Sequence, residues 1–252
     1  MELDIIFNQD CFEGMNSISD HSVDTIISDM PYGTTHNKWD TKINLEALWS
    51  HYKRIIKPTG AIVLFAQCPF DKRLALSNLP WLKYEWIWQK SNTTNFLNAN
   101  YAPLRAHETI LVFSPASATN RGNVKMIYNP QKSQSKPYVT ERSGVRTGNY
   151  ARYYPVKTES DGSRYPTDVL FFATERHTPH PTEKPLKLIR YLVRTYSNEG
   201  DVILDSFMGS GTTAVAAVLE KRHFIGFETD KMYCDFANDR VNNALKQKAF
   251  DL

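Results

Sequence analysis

"DVILDSFMGSGTTA", residues 201–214, has the pattern of an apolar β-strand that runs through a glycine-rich turn into a helix. The strand ends in Asp205, and Gly209 and Gly211 lie in the turn. Glycines let a backbone approach a ligand closely, and the two threonines after them begin a helix whose amide groups can face that ligand. Because open α/β sheets bind ligands beyond the carboxyl ends of their strands, this stretch predicts an α/β fold and a ligand site.

A carboxylate follows the next predicted strand. That strand covers residues 222–227 and ends at Glu228, which is well placed to accept hydrogen bonds from ribose hydroxyls. The spacing Gly209-x-Gly211-x-x-Ala214 also fits a dinucleotide-binding fingerprint. An NAD or FAD site is therefore an alternative interpretation of the glycine-rich turn.

Strands and helices alternate along the rest of the chain. Strands are predicted at residues 3–7, 23–28, 61–66, 81–89, 108–113, 168–172, 201–205 and 222–227, and helices at 11–18, 45–56, 185–196, 212–219 and the carboxyl terminus. Such alternation predicts a doubly wound α/β fold with a mostly parallel sheet, helices on both of its faces and one long insertion.

The composition suits one large domain. The chain has 252 residues, of which 41% are hydrophobic, and its apolar runs fall far short of the roughly 20 residues of a membrane-spanning helix. The amino terminus has acids where a signal peptide carries positive charge, and the three cysteines lack metal-type pairing. We therefore expect a soluble cytoplasmic protein with no metal site and no membrane partner.

A basic segment at residues 115–165 contains nine lysines and arginines against three acids, a local net charge of +6, together with six tyrosines. Basic and aromatic residues interleaved in this way suit a surface that follows phosphates and stacks on bases. A solvated loop is the alternative interpretation. The candidate nucleic-acid contacts are Arg121, Lys125, Arg142, Arg146 and Arg152.

The stretch SDMPYG, residues 28–33, places unusual side chains after the second predicted strand. Pro31 fixes its own φ angle and favours an extended conformation for Met30, so that Asp29 and Tyr32 point in set directions. A carboxylate there can accept hydrogen bonds from an amino group, and a tyrosine ring can stack on a flat heterocycle. These groups can hold a base extruded from a nucleic acid. An ordinary turn is the alternative for such a tetrapeptide in isolation.

SDMPYG and the glycine-rich turn together resemble the DNA amino-methyltransferases, which transfer a methyl group from S-adenosylmethionine to the exocyclic amine of adenine or cytosine. The resemblance covers nearly the whole chain. Other elements similar to the family are Asp10, Trp86-x-Trp88-x-Lys90, His107-Glu108 and His180-Pro181-Thr182-Glu183-Lys184-Pro185. Because SDMPYG precedes the glycine-rich turn, the chain is similar to the permuted beta subgroup, in which the target-recognition region lies between the two motifs.

The resemblance implies a Rossmann-like, seven-stranded sheet with three functional parts. Residues 1–114 would form the catalytic part, residues 115–165 the target-recognition insertion, and residues 166–252 the cofactor-binding part of the same domain. Asp29 would bind the target amine with help from the carbonyl of Met30. The implied catalytic motif is Asp29, Met30, Pro31 and Tyr32, with the tyrosine stacked on the flipped base.

The same resemblance implies the contacts to S-adenosylmethionine. Asp10 would meet the adenine, Glu228 the ribose hydroxyls, and Asp205 the methionine part. The remaining implied cofactor residues are Asp29, Thr182, Lys184, Phe207, Gly209, Gly211, Thr212 and Thr213. His180, His107 and Glu108 suit structural roles equally well.

The predicted function is adenine-specific methylation of DNA. Asp29, where many cytosine enzymes have serine, favours adenine, while Met30 replaces the proline usual in the family. The alternatives are a cytosine amino-methyltransferase, the same chemistry on RNA, a DNA-binding relative without activity, and a nicotinamide oxidoreductase, which leaves SDMPYG and the basic segment unused. A homodimer and a cognate restriction endonuclease are the partners, besides DNA, that the resemblance allows.

Overall fold

A computed structural model describes residues 1–33, 43–142, 156–175 and 183–250. The strands are β1 (Ile5–Phe7), β2 (Val23–Ser28), β3 (Ile56–Ala66), β4 (Leu82–Thr94), β5 (Arg105–Phe113), β6 (Ser133–Gln134), β7 (Tyr138–Arg142), β8 (Val156–Ser160), β9 (Ser163–Arg164), β10 (Val169–Phe171), β11 (Val202–Asp205) and β12 (His223–Phe227). The α-helices are α1 (Cys11–Met15), α2 (Leu45–Ile55), α3 (Phe70–Ser77), α4 (Leu186–Tyr196), α5 (Thr212–Leu219) and α6 (Lys231–Phe250).

Eight strands form one sheet in the order β1-β12-β11-β2-β3-β5-β4-β10. Every neighbouring pair is parallel except the two pairs that β5 makes with β3 and β4. The mostly parallel α/β sheet is thus confirmed. All eight individually predicted strands are present, and the sheet exceeds the expected seven because β10 adds to the edge beside β4.

The apolar strands lie at the centre because helices cover both faces of the sheet. Ile26 and Ile27 of β2 are both fully buried but belong to different core clusters, since successive side chains of a strand point to opposite faces. One cluster contains the buried faces of α4, α5 and α6, and the other contains those of α1, α2 and α3. The result is the three-layer arrangement that the alternating pattern predicted.

Several elements differ in length from the sequence prediction. Helix α1 ends at Met15 rather than residue 18, and β3 already begins at Ile56, so Pro58-Thr59-Gly60 lies inside a strand instead of before it. Ile56 pairs with Val23 ahead of a register shift, which explains how a strand passes through proline and glycine. Helix α3 was not predicted. None of the helices in the described ranges is both long and apolar enough to cross a membrane.

The chain divides into two compact units, one of Met1–Asn129 with Asp168–Leu252 and one of Pro130–Thr167. Residues 115–129, assigned to the insertion from sequence, therefore belong to the first unit. The reason is burial, because Ala116 and Met126 join the core and the amide of Ile127 donates to the Thr59 carbonyl at 3.0 Å.

The smaller unit consists of two antiparallel pairs, β6 with β9 and β7 with β8. Its basic and aromatic side chains stack on one another. Lys132 Nζ lies 4.3 Å from the centre of the Tyr165 ring, and the Arg164 guanidinium lies 4.4 Å from that of Tyr138. The interleaved pattern of the sequence thus builds cation–π contacts within this unit.

Candidate active site

A cavity of about 910 Å³ lies at the carboxyl ends of the parallel strands. It is bordered by residues that follow β1, β2, β11 and β12 and by the last residues of β4. The sequence-predicted residues that line it are Asp10, Asp29, Met30, Pro31, Tyr32, Lys184, Asp205, Phe207, Gly209, Thr212, Thr213 and Glu228. The structure therefore brings the SDMPYG motif and the glycine-rich turn to one site.

The glycine-rich turn has a left-handed backbone conformation at two positions, which glycine adopts more readily than other residues. Gly209 has a φ of +53° and Gly211 a φ of +82°. A Cβ atom on Gly211 would lie 2.7 Å from the Cβ atom of Ala237 in α6. Gly211 does not line the cavity. It allows the turn to pack against α6, whereas the sequence analysis attributed both glycines to close approach of a ligand.

Glu228 fixes the turn from the neighbouring strand. Its Oε2 atom accepts a hydrogen bond of 2.8 Å from the amide of Gly209, and its Oε1 atom accepts one of 2.8 Å from the amide of Asp230. Burial raises the pKa of Glu228, while these amide hydrogen bonds act in the opposite direction. Each carboxylate oxygen has a second lone pair, so Glu228 can still accept hydrogen bonds from hydroxyl groups in the cavity.

Asp205, the last residue of β11, is a buried carboxylate beside the turn. Its Oδ1 atom accepts hydrogen bonds from the Ser28 hydroxyl at 2.7 Å and the Phe207 amide at 3.1 Å. Burial raises the pKa of Asp205 from the ordinary 3.8 to about 6, although hydrogen bonds from Thr213 and Ser28 lower it. A cation placed in the cavity near Asp205 would offset the cost of burying its charge.

Asp10 has a structural role in addition to its place in the cavity wall. It is the N-cap of α1, where its Oδ1 atom accepts from the amides of Phe12 at 2.8 Å and Glu13 at 3.3 Å. The cap holds the carboxylate at the end of β1.

Asp29 and Tyr32 form a hydrogen-bonded pair at the tip of β2. The Tyr32 hydroxyl donates to Asp29 Oδ1 at 2.7 Å, and the Tyr32 ring stacks on Phe70 with centroids 5.2 Å apart and planes at 26°. Met30 between them is only 2% exposed and packs into the core. Its buried side chain therefore anchors the motif at the cavity wall.

Lys184, predicted as a cofactor contact, lines the cavity and also contacts two carboxylates. Its Nζ atom donates to Asp29 Oδ2 and lies 3.3 Å from Glu108 Oε2. Burial lowers the pKa of Lys184, but the carboxylates of Asp29 and Glu108 outweigh burial and raise that pKa to about 12. The ammonium group is therefore charged at neutral pH.

Lys90 completes a line of alternating charges that was not predicted from the sequence. The line consists of Asp29, Lys184, Glu108 and Lys90. Lys90 Nζ lies 2.5 Å from Glu108 Oε1, and the side chains of both residues are about 90% buried. Although burial raises the pKa of Glu108, Lys184 and Lys90 hold it below its ordinary value. The sequence signal was a lysine and a glutamate at the adjoining ends of β4 and β5, where Trp88 is paired with Glu108.

Glu183, next to Lys184 in the chain, also lines the cavity, although the sequence motif gave it no predicted role. It is held by Arg240, whose guanidinium lies 2.8 Å from Glu183 Oε1 and also donates to the Ser210 carbonyl at 2.8 Å. The Oε2 atom of Glu183 is buried and has no hydrogen-bond partner among the residues that the structure describes. A buried acceptor without a donor is suited to a polar ligand group.

The described residues that line this site do not include every predicted residue. Thr182, Arg146 and Arg152 lie outside the described residues, as does the side chain of Arg142. Arg121 and Lys125 are exposed on the segment after β5. That segment forms hydrogen bonds with Thr59, near the amino end of β3, and with Trp81, just before β4. It therefore lies at the amino ends of these strands, whereas the cavity lies at their carboxyl ends. Among the described residues, no group of three or more His, Cys, Asp or Glu side chains is arranged to hold a metal ion.

Comparison with known proteins places the site in context. The sequence pattern of the family described as DNA methylase matches residues 23–239. The Type II methyltransferase M1.MboII of Moraxella bovis is 28% identical over 264 residues, which cover 96% of this chain and 98% of the relative.

Two solved structures are similar over nearly the whole chain. The crystal structure of an M1.HpyAVI–SAM complex has a TM-score of 0.63 at 24% identity and covers 94% of this chain and 98% of its own. The PvuII DNA methyltransferase, described as cytosine-N4-specific, has a TM-score of 0.66 at 14% identity and covers 96% of this chain and 91% of its own. At these identities the likeness shows a shared fold.

Proposed function

This chain belongs to the DNA methylase family of S-adenosylmethionine-dependent amino-methyltransferases, and we propose that it methylates the 6-amino group of adenine within a specific DNA sequence. Its methyl donor is S-adenosylmethionine. The observation that carries the proposal is the pair of Asp29 and Tyr32 at the wall of the cavity that also holds the glycine-rich turn.

The residues of the cavity fit the cofactor. Asp205 is a carboxylate whose pKa is raised by burial, and the ammonium and sulfonium of the cofactor would favour its ionised form. Glu228 can accept from ribose hydroxyls, and Glu183 offers a buried oxygen without a donor among the described residues. Phe207 and Asp10 line the same cavity, where Phe207 contributes an apolar surface and Asp10 a polar one.

When bound, S-adenosylmethionine supplies a methyl group already activated by a positively charged sulfur. The protein is left with alignment and electrostatic stabilisation. Asp29 accepts a hydrogen bond from the target amine, which directs the nitrogen lone pair toward the donor side of the cavity. The negative charge of Asp29 also stabilises the positive charge that develops on that nitrogen. Tyr32 orients the carboxylate through its hydroxyl, and its ring supports a flat base.

Asp29 favours adenine over cytosine as the target. The family acts on both bases, and the first residue of the tetrapeptide is the position at which serine is common in cytosine enzymes. The carboxylate is retained here, so the proposed base is adenine. The Met30 side chain is buried in the core, and its substitution for proline leaves the main-chain carbonyl that the mechanism uses.

The loop between β4 and β5 supports a nucleic acid as the acceptor. Residues 91–107, which comprise this loop and the strand ends beside it, contain no acid. Asn92 and Thr94 at the end of β4 line the cavity, so the loop begins beside it. Phe96 and Tyr101 are 74% and 91% exposed on this loop. Exposed aromatic rings beside a basic or neutral surface suit stacking on bases. Arg142, Arg146 and Arg152 remain proposed contacts, whereas the placement of Arg121 and Lys125 does not support a role near the target base.

The test is single-molecule sequencing of genomic DNA from a methylation-free bacterial host that expresses the protein, with Asp29→Ala as control. We expect N6-methyladenine in one recurring short motif, and none with the control. N4-methylcytosine in the motif would reassign the base. An unmodified genome from a host containing folded, cofactor-binding protein would refute the proposed activity on DNA. Size-exclusion mass measurement, and a search for an endonuclease gene beside this one, would address the proposed homodimer and restriction partner.

A further inference from the structure

Both oxygens of the proposed amine-binding carboxylate already have donors. The Tyr32 hydroxyl occupies Oδ1 of Asp29 at 2.7 Å, and the Lys184 ammonium occupies Oδ2. Asp29 is one quarter exposed to the cavity, whereas the Lys184 side chain is only 10% exposed. A target amine that donates to Asp29 must therefore either use the second lone pair of an oxygen beside one of these donors or replace that donor.

Lys184 is the donor that has a second acceptor within reach. Its Nζ atom lies 3.3 Å from Glu108 Oε2, longer than the roughly 2.7–2.9 Å of a strong charge-assisted hydrogen bond. A small movement toward Glu108 would shorten that contact and release Asp29. The Phe65 ring, with its centre 5.1 Å from Nζ, provides a favourable face for the cation along this wall.

Glu108 is itself fixed by Lys90 on its other oxygen, at 2.5 Å. The four side chains Asp29, Lys184, Glu108 and Lys90 alternate in sign and carry no formal net charge. Buried charges in such a line stabilise one another because each has an opposite neighbour. Without Glu108, the three remaining side chains carry a formal net charge of +1, and an ammonium group displaced from Asp29 has no second carboxylate in this line to receive it.

An uncompensated cation at this point would oppose methyl transfer. The reacting nitrogen gains positive charge, and like charges within a few ångströms repel strongly where water is excluded. The charge of Lys184 therefore has to be neutralised by a carboxylate other than the one that binds the target amine, and Glu108 Oε2, 3.3 Å from Nζ, is such a group.

We propose that Lys184 holds the place of the target amine on Asp29 until the base arrives, and that Glu108, backed by Lys90, is the positioning residue that then receives the ammonium group. The inference rests on the proposed amino-methyltransferase function and adds an exchange of donors at its site. It explains why a lysine contacts the carboxylate that must accept the substrate, and why a second buried lysine lies behind Glu108.

The experiment is a double-mutant cycle on the full-length protein. The substrate is an unmethylated DNA duplex that contains the sequence motif identified by the sequencing test. Glu108→Gln should lower kcat by about ten- to a hundredfold without changing cofactor affinity, since an ammonium group displaced from Asp29 by the target amine then has no carboxylate to receive it. Lys184→Met should lower kcat less, and adding it to Glu108→Gln should raise kcat again about tenfold, because the interfering cation is gone. A residue with a purely structural role would give a double variant worse than either single one.

The control is Asp24→Asn, which breaks another ion pair with a buried carboxylate, that of Asp24 with the partly exposed Lys57 at 2.7 Å near the amino end of β2. It should change stability but not kcat. If Glu108→Gln does not fold, Glu108→Asp keeps the charge but lengthens its distance to Lys184, so it should show a smaller loss of kcat and a smaller recovery on addition of Lys184→Met.

Two results would overturn the inference while the wild-type protein methylates DNA. One is a kcat for Glu108→Gln equal to that of wild type. The other is complete loss of activity in Lys184→Met with no recovery in the double variant, which would make Lys184 a required cofactor contact. A wild-type protein that transfers no methyl group to DNA would instead refute the proposed function, so the two failures are distinguishable.

Discussion

Cofactor affinity should fall as pH drops below 6, because Asp205 must be ionised to bind a cation. Burial raises the pKa of this carboxyl to about 6 in the protein without cofactor. The ammonium and sulfonium of S-adenosylmethionine favour the ionised form. Protonation of Asp205 therefore competes with cofactor binding, which is a linkage between proton and ligand.

The size of the effect follows from the pKa. With a value of about 6, Asp205 is about nine-tenths ionised at pH 7 and about one-tenth at pH 5, so Kd should rise about tenfold between these pH values. The effect of pH on the free energy of unfolding has the opposite sign. A carboxyl whose folded-state pKa is raised contributes stability that is complete below pH 3.8 and is lost as pH rises through about 6, up to ~3 kcal/mol.

Asp205→Asn separates the two effects. In the absence of cofactor, the variant should unfold at higher temperature than wild type at pH 8, because the buried charge is gone. Calorimetric titration with S-adenosylhomocysteine, which keeps the ammonium group, should show weak and nearly pH-independent binding. The variant also corrects for Glu228, whose pKa is raised by burial and whose titration is common to both proteins. An equal pH dependence of Kd in wild type and variant would refute the reasoning.

Three further predictions concern packing and the DNA surface. Gly211→Ala should lower the free energy of unfolding by more than the ~1–2 kcal/mol of left-handed backbone strain alone, since its Cβ atom meets α6. Gly200→Ala, with φ of +84° and no atom within 4 Å of the added Cβ, is the control in thermal unfolding, and equal losses would contradict the steric argument. Met30→Ala should cost about 2–5 kcal/mol in denaturant unfolding because it empties a buried site, and an unchanged midpoint would show that the site is not packed as described. Phe96→Ala and Tyr101→Ala should each weaken duplex binding by about 1–3 kcal/mol in fluorescence anisotropy while cofactor affinity is kept, and unchanged DNA affinity would remove the loop from the interface.

Much of the fold was predictable because its signals are local. Apolar runs of strand length alternate with helical segments, and a buried parallel sheet follows from that alternation. The position of the site was predictable for the same reason, since Asp205 ends a strand and Asp29 and Glu228 each come directly after one. Parallel strands bring their carboxyl ends to one edge, so sequence order alone places these three acids together.

Local patterns were less informative about boundaries. Residues 115–129 have the composition of an exposed loop, but Ala116 and Met126 pack into the main core. Burial of a few side chains is decided by the partners they meet, and these are distant in sequence. The placement of Arg121 and Lys125 away from the cavity follows from that packing and not from their charge.

The sequence by itself determined the α/β class, the family and the chemical nature of the residues at the strand ends. Only the tertiary structure decided which of those residues face one another. Lys184 and Asp29 are 155 residues apart in the chain, yet they share a hydrogen bond with Glu108 behind them. The physical reason is that strand and helix propensities act over a few residues, whereas a buried charge is tolerated only where folding brings an opposite charge into contact with it.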